Sequence, residues 1–293
     1  MRARFDRLVI LAVALVVLAC GWVPSIAGAD LYWVGGPHAD RIGRADIAGT
    51  EVDPSFIVGL RDVGTLAVDR RYLYWTSGTT IGRANLRGGA IERAFVSGLG
   101  ALNGVAVAGR YVYWLSDHNP ACGGKPGFGR ARLNGTDLLR GFVCGGGRAQ
   151  AIADTPYANG LGVAGDYLYW SWIKGIGRLD VKRRAYDSRF IILSPGYTAA
   201  GVTATEDHIY WGSYDPGPVI GRANFDGRKL DTAFIEGLAG NIAPEVSVFE
   251  HRLDFSDDYG STATIARSTL NGLVEWDFIT GLHVVGDLTA GPS

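Results

Sequence analysis

The sequence has little of several features that mark particular classes of protein. Among its 293 residues there are one Met, three Cys and five His, 19% of the residues are charged, and the formal net charge is −1. A near-neutral chain lacks the basic footprint of a nucleic-acid-binding protein. The histidines are dispersed, and no hydrolase elbow, HExxH motif or phosphate-binding loop is present. No catalytic residue is predicted, and we expect no nucleic-acid partner.

The first 29 residues differ in composition from the rest of the chain. Three arginines lie within the first seven residues, residues 8–20 are uniformly apolar, and Ala27-Gly28-Ala29 is a small-x-small cleavage signal. These are the three parts of a secretory signal peptide, and no later segment is long and apolar enough to span a bilayer. We therefore expect residues 1–29 to be removed and the mature chain to be secreted.

An alternative route of processing leaves a lipid anchor. Residues 17–21 resemble a bacterial lipobox, so that cleavage before Cys20 would give a lipoprotein on the outer face of the membrane. Either route leaves Cys122 and Cys144 in the mature chain. Two cysteines in an exported chain predict a disulfide, with two free thiols as the alternative.

Short elements recur through this glycine-rich chain at a spacing of about 40 to 48 residues, which is the range of four-stranded propeller blades. One is a Tyr-Trp pair, replaced in the last copy by Asp254-Phe255: Tyr32-Trp33, Tyr74-Trp75, Tyr113-Trp114, Tyr169-Trp170 and Tyr210-Trp211. The next is Ile-Gly-Arg or a close variant, ending at Arg44, Arg83, Arg130, Arg178, Arg222 and Arg267. Each unit then has a Phe near its end, at Phe56, Phe95, Phe142, Phe190, Phe234 and Phe278. Such short β-branched and aromatic elements, bounded by Gly, Asn and Asp, predict strands.

These repeats predict the fold class. The chain starts within a repeat at Leu31 and stops within one at residues 287–290, so the last strand can complete the first blade. We predict an all-β, monomeric protein in which residues 30–293 form a single six-bladed β-propeller. Its blades are four-stranded and antiparallel, and the C-terminal strand closes the ring. The arginine that recurs once per blade is interpreted as structural, bonding neighbouring backbone or a carboxylate.

The repeated segments resemble the YWTD propellers of the low-density lipoprotein receptor family. The resemblance is carried by YLYWTS at 72–77, IGRANL at 81–86 and IGRANFDG at 220–227, and it recurs along the mature chain. Ser77, Ser116 and Ser213 stand where the family motif has Asp. The resemblance implies a six-bladed fold and binding of protein ligands. It does not imply a receptor role, because function resides in a site rather than in a fold.

Irregular residues cluster in the loops expected on one face of the propeller, those between the second and third strands and those between blades. Loops on a rigid scaffold concentrate function, and aromatic residues mixed with carboxylates suit a binding surface. The candidate binding residues are His38, Asp40, Asp117, His118, Arg148, Trp172, Tyr214, Asp215, Asp257, Asp258 and Tyr259. The expected function is recognition of a protein, peptide or glycan through this loop face.

Metal-dependent catalysis is the alternative. It requires the carboxylates of this set, together with His38 and His118, to converge on Ca²⁺ or Mg²⁺ in the central channel. Six-bladed propellers of the lactonase and lyase types use such an arrangement. The alternative function is therefore a hydrolase or lyase with its site at the channel mouth. No other cofactor is predicted.

Overall fold

A computed structural model of the chain describes residues 28–145, 160–258 and 262–292. Within these ranges the chain forms six antiparallel sheets of four strands each, which are the blades of a closed ring. The predicted all-β, six-bladed propeller is confirmed. A short 3-10 turn at Pro120–Cys122 is the helical element of the described residues, and no helix among them is long and apolar enough to cross a membrane. The predicted signal peptide up to residue 27, with Cys20, lies outside them.

In every blade the inner strand lines the central channel and three further strands follow outward. From the inside outward, blades 1 to 3 consist of β24 Leu288–Pro292, β1 Ala29–Gly35, β2 Arg41–Asp46 and β3 Val52–Ile57; β4 Val63–Val68, β5 Tyr72–Ser77, β6 Thr80–Asn85 and β7 Glu92–Ser97; β8 Leu102–Ala108, β9 Tyr111–Asn119, β10 Lys125–Arg132 and β11 Leu139–Cys144. Blades 4 to 6 consist of β12 Leu161–Ala164, β13 Tyr167–Trp172, β14 Gly175–Asp180 and β15 Ala185–Ile192; β16 Val202–Ala204, β17 His208–Ser213, β18 Val219–Asn224 and β19 Asp231–Ile235; β20 Val246–Phe249, β21 Arg252–Asp258, β22 Ala263–Thr269 and β23 Val274–Leu282.

The two faces of the ring carry different connections. Links between blades, such as residues 58–62, and loops between second and third strands, such as residues 78–79, form the loop face. Tight turns between first and second strands, such as residues 69–71, and between third and fourth strands, such as residues 86–91, form the opposite face, termed the turn face. Any site built from interblade links therefore belongs to the loop face.

The last strand closes the ring. Strand β24 pairs antiparallel with β1, with Ala290 opposite Leu31. The Val34 N–H donates to the carbonyl of Asp287 at 2.9 Å and extends this pairing. Strand β1 already includes Ala29, the last residue of the predicted signal peptide, which is buried. Because the two ends of the chain share one sheet, blade 1 forms only when both are in place.

One cross-strand packing explains the Tyr-Trp and Ile-Gly-Arg elements. In blades 1 to 5 the Trp lies directly opposite the Gly of the next strand, as Trp75 lies opposite Gly82. The buried indole covers the glycine so closely that a Cβ on Gly82 would lie 2.3 Å from Trp75 Cε2. In blade 6 the same two places hold Phe255 and Ala266, so a smaller ring accompanies the added methyl group. The glycine is therefore required by the indole.

The recurring arginine packs within its own blade, and Arg83, Arg222 and Arg267 also bond the next blade. In all six blades its guanidinium group stacks on the Phe of the fourth strand, at 3.9 Å from the ring centre for Arg83 over Phe95. Arg83 Nη1 also donates to the carbonyl of Leu133 in the next blade at 2.7 Å. Arg267 makes the same bond to Ile47 across the closure of the ring. These contacts agree with the structural interpretation.

The predicted disulfide is present. Cys122 follows β9 and Cys144 ends β11, with Cα atoms 5.4 Å apart and a sequence separation of 22 residues. Closing a loop of this size stabilises the fold by about 3 kcal/mol through the lower entropy of the unfolded chain. The bond fixes the long loop of blade 3 against its outer strand.

Candidate functional site

The predicted binding residues lie in separate groups around the ring rather than in one site. The described ones are His38 and Asp40 in blade 1, Asp117 and His118 in blade 3, Trp172, Tyr214 and Asp215 in blades 4 and 5, and Asp257 and Asp258 in blade 6. Arg41 Nε donates to Asp40 at 3.0 Å, and this bond lowers the pKa of Asp40. Asn103 Nδ2 donates to Asp117 at 2.7 Å, while burial raises the pKa of Asp117. Arg148 and Tyr259 lie outside the described residues.

Blade 6 differs from the sequence-based expectation of an exposed acidic loop. Asp257 and Asp258 lie within β21, and both are buried. The Asp257 carboxylate accepts the N–H groups of Gly240 at 2.6 Å and Ala239 at 3.2 Å. The carbonyl of Asp258 accepts the N–H of Asn241 at 2.9 Å. These bonds hold the link from blade 5 against blade 6.

The alternative of a metal site depends on convergence of these side chains. Across residues 28–145, 160–258 and 262–292, no three His, Cys, Asp or Glu side chains lie together in a way that would hold a metal ion. Three of the carboxylates named for that role are engaged locally instead: Asp40 with Arg41, Asp117 with Asn103, and Asp257 with backbone N–H groups. The geometry of the described residues therefore gives no support to the channel-metal hypothesis.

An apolar cleft of about 620 Å³ opens on the loop face between blades 4 and 5. Three segments form it: the end of β13 with the turn after it, the end of β15 with the link to β16, and the loop after β17. Its main lining residues are Trp172, Ile173, Lys174, Arg189, Ile192, Pro195, Tyr197 and Asp215. The sequence predicts Trp172 in a loop, but the residue ends β13 and is only 6% exposed. The cleft thus unites two of the predicted residues, Trp172 and Asp215, and Tyr214 is adjacent.

The edge of this cleft presents apolar side chains to solvent. Ile173, Ile192 and Tyr214 are 40%, 50% and 47% exposed. The Tyr214 N–H donates to Thr198 Oγ1 at 3.3 Å, which ties the blade 5 loop to the interblade link. Lys174 and Arg189 add positive charge and Asp215 adds negative charge to the lining. The arrangement suits a ligand with an apolar anchor and polar groups beside it.

The central channel is narrow, with a cavity of about 160 Å³ lined mainly by short apolar side chains of the inner strands. Two acids, Asp287 and Glu245, directly precede the inner strands β24 and β20 at its loop-face end. A Cβ on Gly201, at the equivalent place in blade 5, would lie 2.1 Å from Glu245 Oε2, so the Glu245 carboxylate packs on this glycine. The Asp287 carboxylate accepts the N–H of Leu66 from blade 2.

Burial dominates the ionisation of these two acids. It raises the pKa of Asp287 to about 7, although hydrogen bonds from the Leu66 and Leu288 N–H groups lower it. Burial also raises the pKa of Glu245 well above its ordinary value, and the neighbouring Asp287 charge raises it further. Two enclosed carboxyl groups that repel each other favour the protonated form.

The Asp287 carboxyl should make the fold more stable in acid than in alkali. Its pKa is raised from 3.8 to about 7 on folding, so its stabilisation is complete below pH 3.8 and is lost as the pH rises to 7. Asp287→Asn keeps an acceptor for the Leu66 N–H and cannot ionise. We expect this variant to be more stable than the wild type at pH 8 by about 4 kcal/mol, with little difference at pH 4.

Urea unfolding at pH 4, 6 and 8 measures this difference. Asp277→Asn, which removes the charge of an exposed carboxylate on β23, is the matched control and should show no such gain. An Asp287→Asn curve parallel to that of the wild type across this pH range would contradict the assignment.

Sequence reasoning missed several residues of these two regions. Ile192, Pro195 and Tyr197 belong to an outer strand and a link that carry no recognisable motif. Glu245 and Asp287 do leave a signal in the repeat, because each precedes an inner strand where blades 4 and 5 have Gly160 and Gly201. An acidic residue at a position that holds glycine in other blades indicates that the channel mouth carries a carboxyl group there.

Solved structures of similar fold differ widely from this chain in sequence. A chain of the nidogen–laminin complex is 19% identical with a TM-score of 0.64, covering 90% of this chain and 98% of that one. TolB from Acinetobacter baumannii is 14% identical with a TM-score of 0.66, covering 91% and 67%. A gluconolactonase from Xanthomonas campestris is 15% identical with a TM-score of 0.55, covering 77% of each chain. No protein-family model and no curated protein sequence matches this chain. These similarities establish the fold alone.

Proposed function

We propose that the protein is an exported binding protein that recognises a protein or peptide in the cleft between blades 4 and 5. The observation that carries the proposal is the apolar cleft of about 620 Å³ on the loop face, with exposed Ile173, Ile192 and Tyr214 at its edge. Apolar clefts with a few polar groups are typical of ligand sites, and a rigid propeller holds them preformed.

The lining favours an amino-acid side chain over a sugar. Burying an apolar side chain gains about 25 cal/mol per Å², whereas buried sugar hydroxyls require hydrogen-bond partners. Lys174 and Arg189 in the lining complement a carboxylate beside such an anchor. We therefore propose a partner segment with a large apolar residue next to an acidic one. A chain of similar fold in a complex of two proteins, nidogen and laminin, is consistent with a protein partner.

Export is part of the proposal. It rests on the signal-peptide pattern at the N-terminus and on the Cys122–Cys144 disulfide, since disulfides persist mainly outside the cytoplasm. We propose secretion, with a lipid anchor at Cys20 as the alternative. We also propose descent from the YWTD propellers, which the repeated motifs and the nidogen–laminin likeness support.

The cleft can be tested by selection of a random peptide library displayed on phage. The cleft variant is Ile173→Ser/Ile192→Ser/Tyr214→Ser. The control variant, Val52→Ser/Leu230→Ser/Leu273→Ser, removes three exposed apolar side chains elsewhere. We expect peptides enriched on the wild type to bind the control equally and the cleft variant at least 10-fold more weakly, because the anchor loses its apolar contacts.

Matched circular dichroism spectra and melting temperatures establish that both variants are folded. Equal binding of the enriched peptides to the cleft variant would reject the cleft as the site. Failure of the wild type to enrich any peptide, with binding on a glycan array instead, would reject the peptide partner.

A further inference from the structure

On the turn face, the junction between blades 1 and 2 is left open, because among the residues that the structure describes it lacks the arginine bond that closes the junctions after blades 2, 5 and 6. Arg83 and Arg222 donate to turn carbonyls of the following blades at 2.7 and 3.2 Å. Arg44 instead directs Nε and Nη2 to Asp30, at 2.9 and 3.1 Å, and no bond to the blade 2 turn is seen in the described part of the chain. The Arg44 side chain is 32% exposed, compared with 12% for Arg83.

A polar cavity of about 540 Å³ occupies this open junction. Blade 1 contributes Asp30 and Arg44, and blade 2 contributes two turns that carry Arg70, Arg71 and Arg87. These three arginines are exposed, and within the described ranges their guanidinium groups have no carboxylate or carbonyl partner. The cavity therefore holds four guanidinium groups and one carboxylate.

The backbone beneath these arginines is held rigidly. Asp69 Oδ1 accepts the N–H groups of Arg71 at 2.6 Å and Tyr72 at 2.7 Å. Asn85 Oδ1 accepts the N–H groups of Arg87 at 3.0 Å and Gly89 at 2.9 Å. Both turns are thus fixed by side-chain caps, and the charged groups extend from a preformed frame.

The nearby carboxylates are already engaged. Asp69 Oδ2 accepts the hydroxyl of Tyr74 at 3.1 Å. Asp30 is buried and accepts from both Arg44 and the hydroxyl of Tyr32. The positive charge of Arg70, Arg71 and Arg87 consequently remains available to a ligand.

Blade 2 differs from other blades in that its turn arginines lack carboxylate partners among the described residues, whereas Lys182, Arg183 and Arg228 on the same face each pair with an aspartate. The first turns of blades 3 to 6 hold Arg110, Asp166, Glu206 with Asp207, and Glu250. In the second turn of blade 4, Lys182 is paired with Asp166 at 2.6 Å. The blade repeat therefore does not require arginines at these positions, and the presence of the arginine cluster is not explained by the fold.

We propose that this pocket is an anion-binding site for a tetrahedral oxyanion, a phosphate or sulfate group, free or as an ester. Guanidinium forks match the oxygen spacing of such groups and bind them in a bidentate manner. Arg44 is paired with Asp30, and the three remaining guanidinium groups exceed what a single carboxylate ligand would neutralise. The site lies on the face opposite the peptide cleft and is independent of it.

Isothermal titration with inorganic phosphate, inorganic sulfate and glycerol 3-phosphate, at constant low ionic strength, tests the proposal. The pocket variant is Arg70→Gln/Arg71→Gln/Arg87→Gln. The control, Arg61→Gln/Arg93→Gln/Arg110→Gln, removes the same charge from exposed arginines outside the pocket. We expect one saturable site on the wild type, retained by the control and weakened at least 10-fold in the pocket variant.

The probes also distinguish the sources of the anion. Tighter binding of glycerol 3-phosphate than of inorganic phosphate supports an ester ligand, and the reverse order supports the free ion. Equal weakening in the pocket and control variants would overturn the proposal, because it would show only a response to net charge. Absence of saturable binding of all three probes to the wild type would also overturn it.

Discussion

Replacing Gly177 by Ala should destabilise the protein by about 3 kcal/mol, the upper range for inserting a methyl group into a packed core. A Cβ at this position would lie 2.1 Å from Cζ2 of Trp170 on the paired strand. The indole has no space to move away, because it is fully buried and packs edge-on against the ring of Phe128 with 5.2 Å between the centroids. The φ angle of Gly177 is not positive, so the cost comes from this overlap. Urea unfolding of the variant and the wild type measures it.

The sixth blade supplies the compensating change for this experiment. There Phe255 faces Ala266, so Trp170→Phe should relieve the overlap created by Gly177→Ala. We expect the double variant to be less destabilised than the sum of the single variants by at least about 1 kcal/mol. Gly217→Ala, at a glycine with open space around it, is the control and should change stability little. Additive single effects would contradict the proposed role of the indole.

Replacing Asp254 by Ala should cost about 3 to 5 kcal/mol, because it leaves a buried arginine without its counter-ion. Arg267 Nε and Nη2 donate to Asp254 at 2.6 and 3.2 Å, with side-chain exposures of 9% and 0% for the two partners. Burial raises the pKa of Asp254 and the bonds from Arg267 oppose this shift. Thermal and urea unfolding of the variant measure the loss.

Two further variants distinguish the effect of leaving Arg267 unpaired from the effect of removing a negative charge. Asp40→Ala breaks an ion pair whose side chains are 37% and 36% exposed and should change stability by less than about 1 kcal/mol. Asp254→Leu/Arg267→Met removes both buried charges and should be more stable than Asp254→Ala alone. If the double variant were less stable than Asp254→Ala, the unpaired charge would not be the cause.

The fold was largely predictable, because the same strand-forming elements recur in six successive units of the sequence. Tyr-Trp followed by Ile-Gly-Arg predicts a second strand and a third strand in each unit, so the six blades were predicted and confirmed. The packing of the indole on the glycine between these strands was seen only in the structure. The ring closure followed from the terminal half-repeats, and the disulfide from the two remaining cysteines.

The site was less predictable, because a loop residue's exposure depends on neighbours that the repeat does not specify. Asp257 and Asp258 extend β21 and become buried since the blade 5 link folds back onto them. Trp172 was likewise predicted in an exposed loop, but it ends a strand and lines the cleft. The other side of that cleft is formed by Ile192 and Tyr197, which come from a different segment. Contacts between segments that are distant in sequence leave no recognisable pattern in the sequence of either segment. The shape of a ligand site depends on these contacts, and so does the identity of the ligand.

The pairing of β24 with β1 has a consequence for a chain that is synthesised from its N-terminus. The edge of β1 that faces the channel stays without a backbone partner until residues 288–292 have emerged, after every other strand. Exposed strand edges invite pairing with other chains. Closure of the ring therefore waits for the end of the chain, and a product that ends before β24 would keep an unpaired strand edge in blade 1 that can pair with other chains.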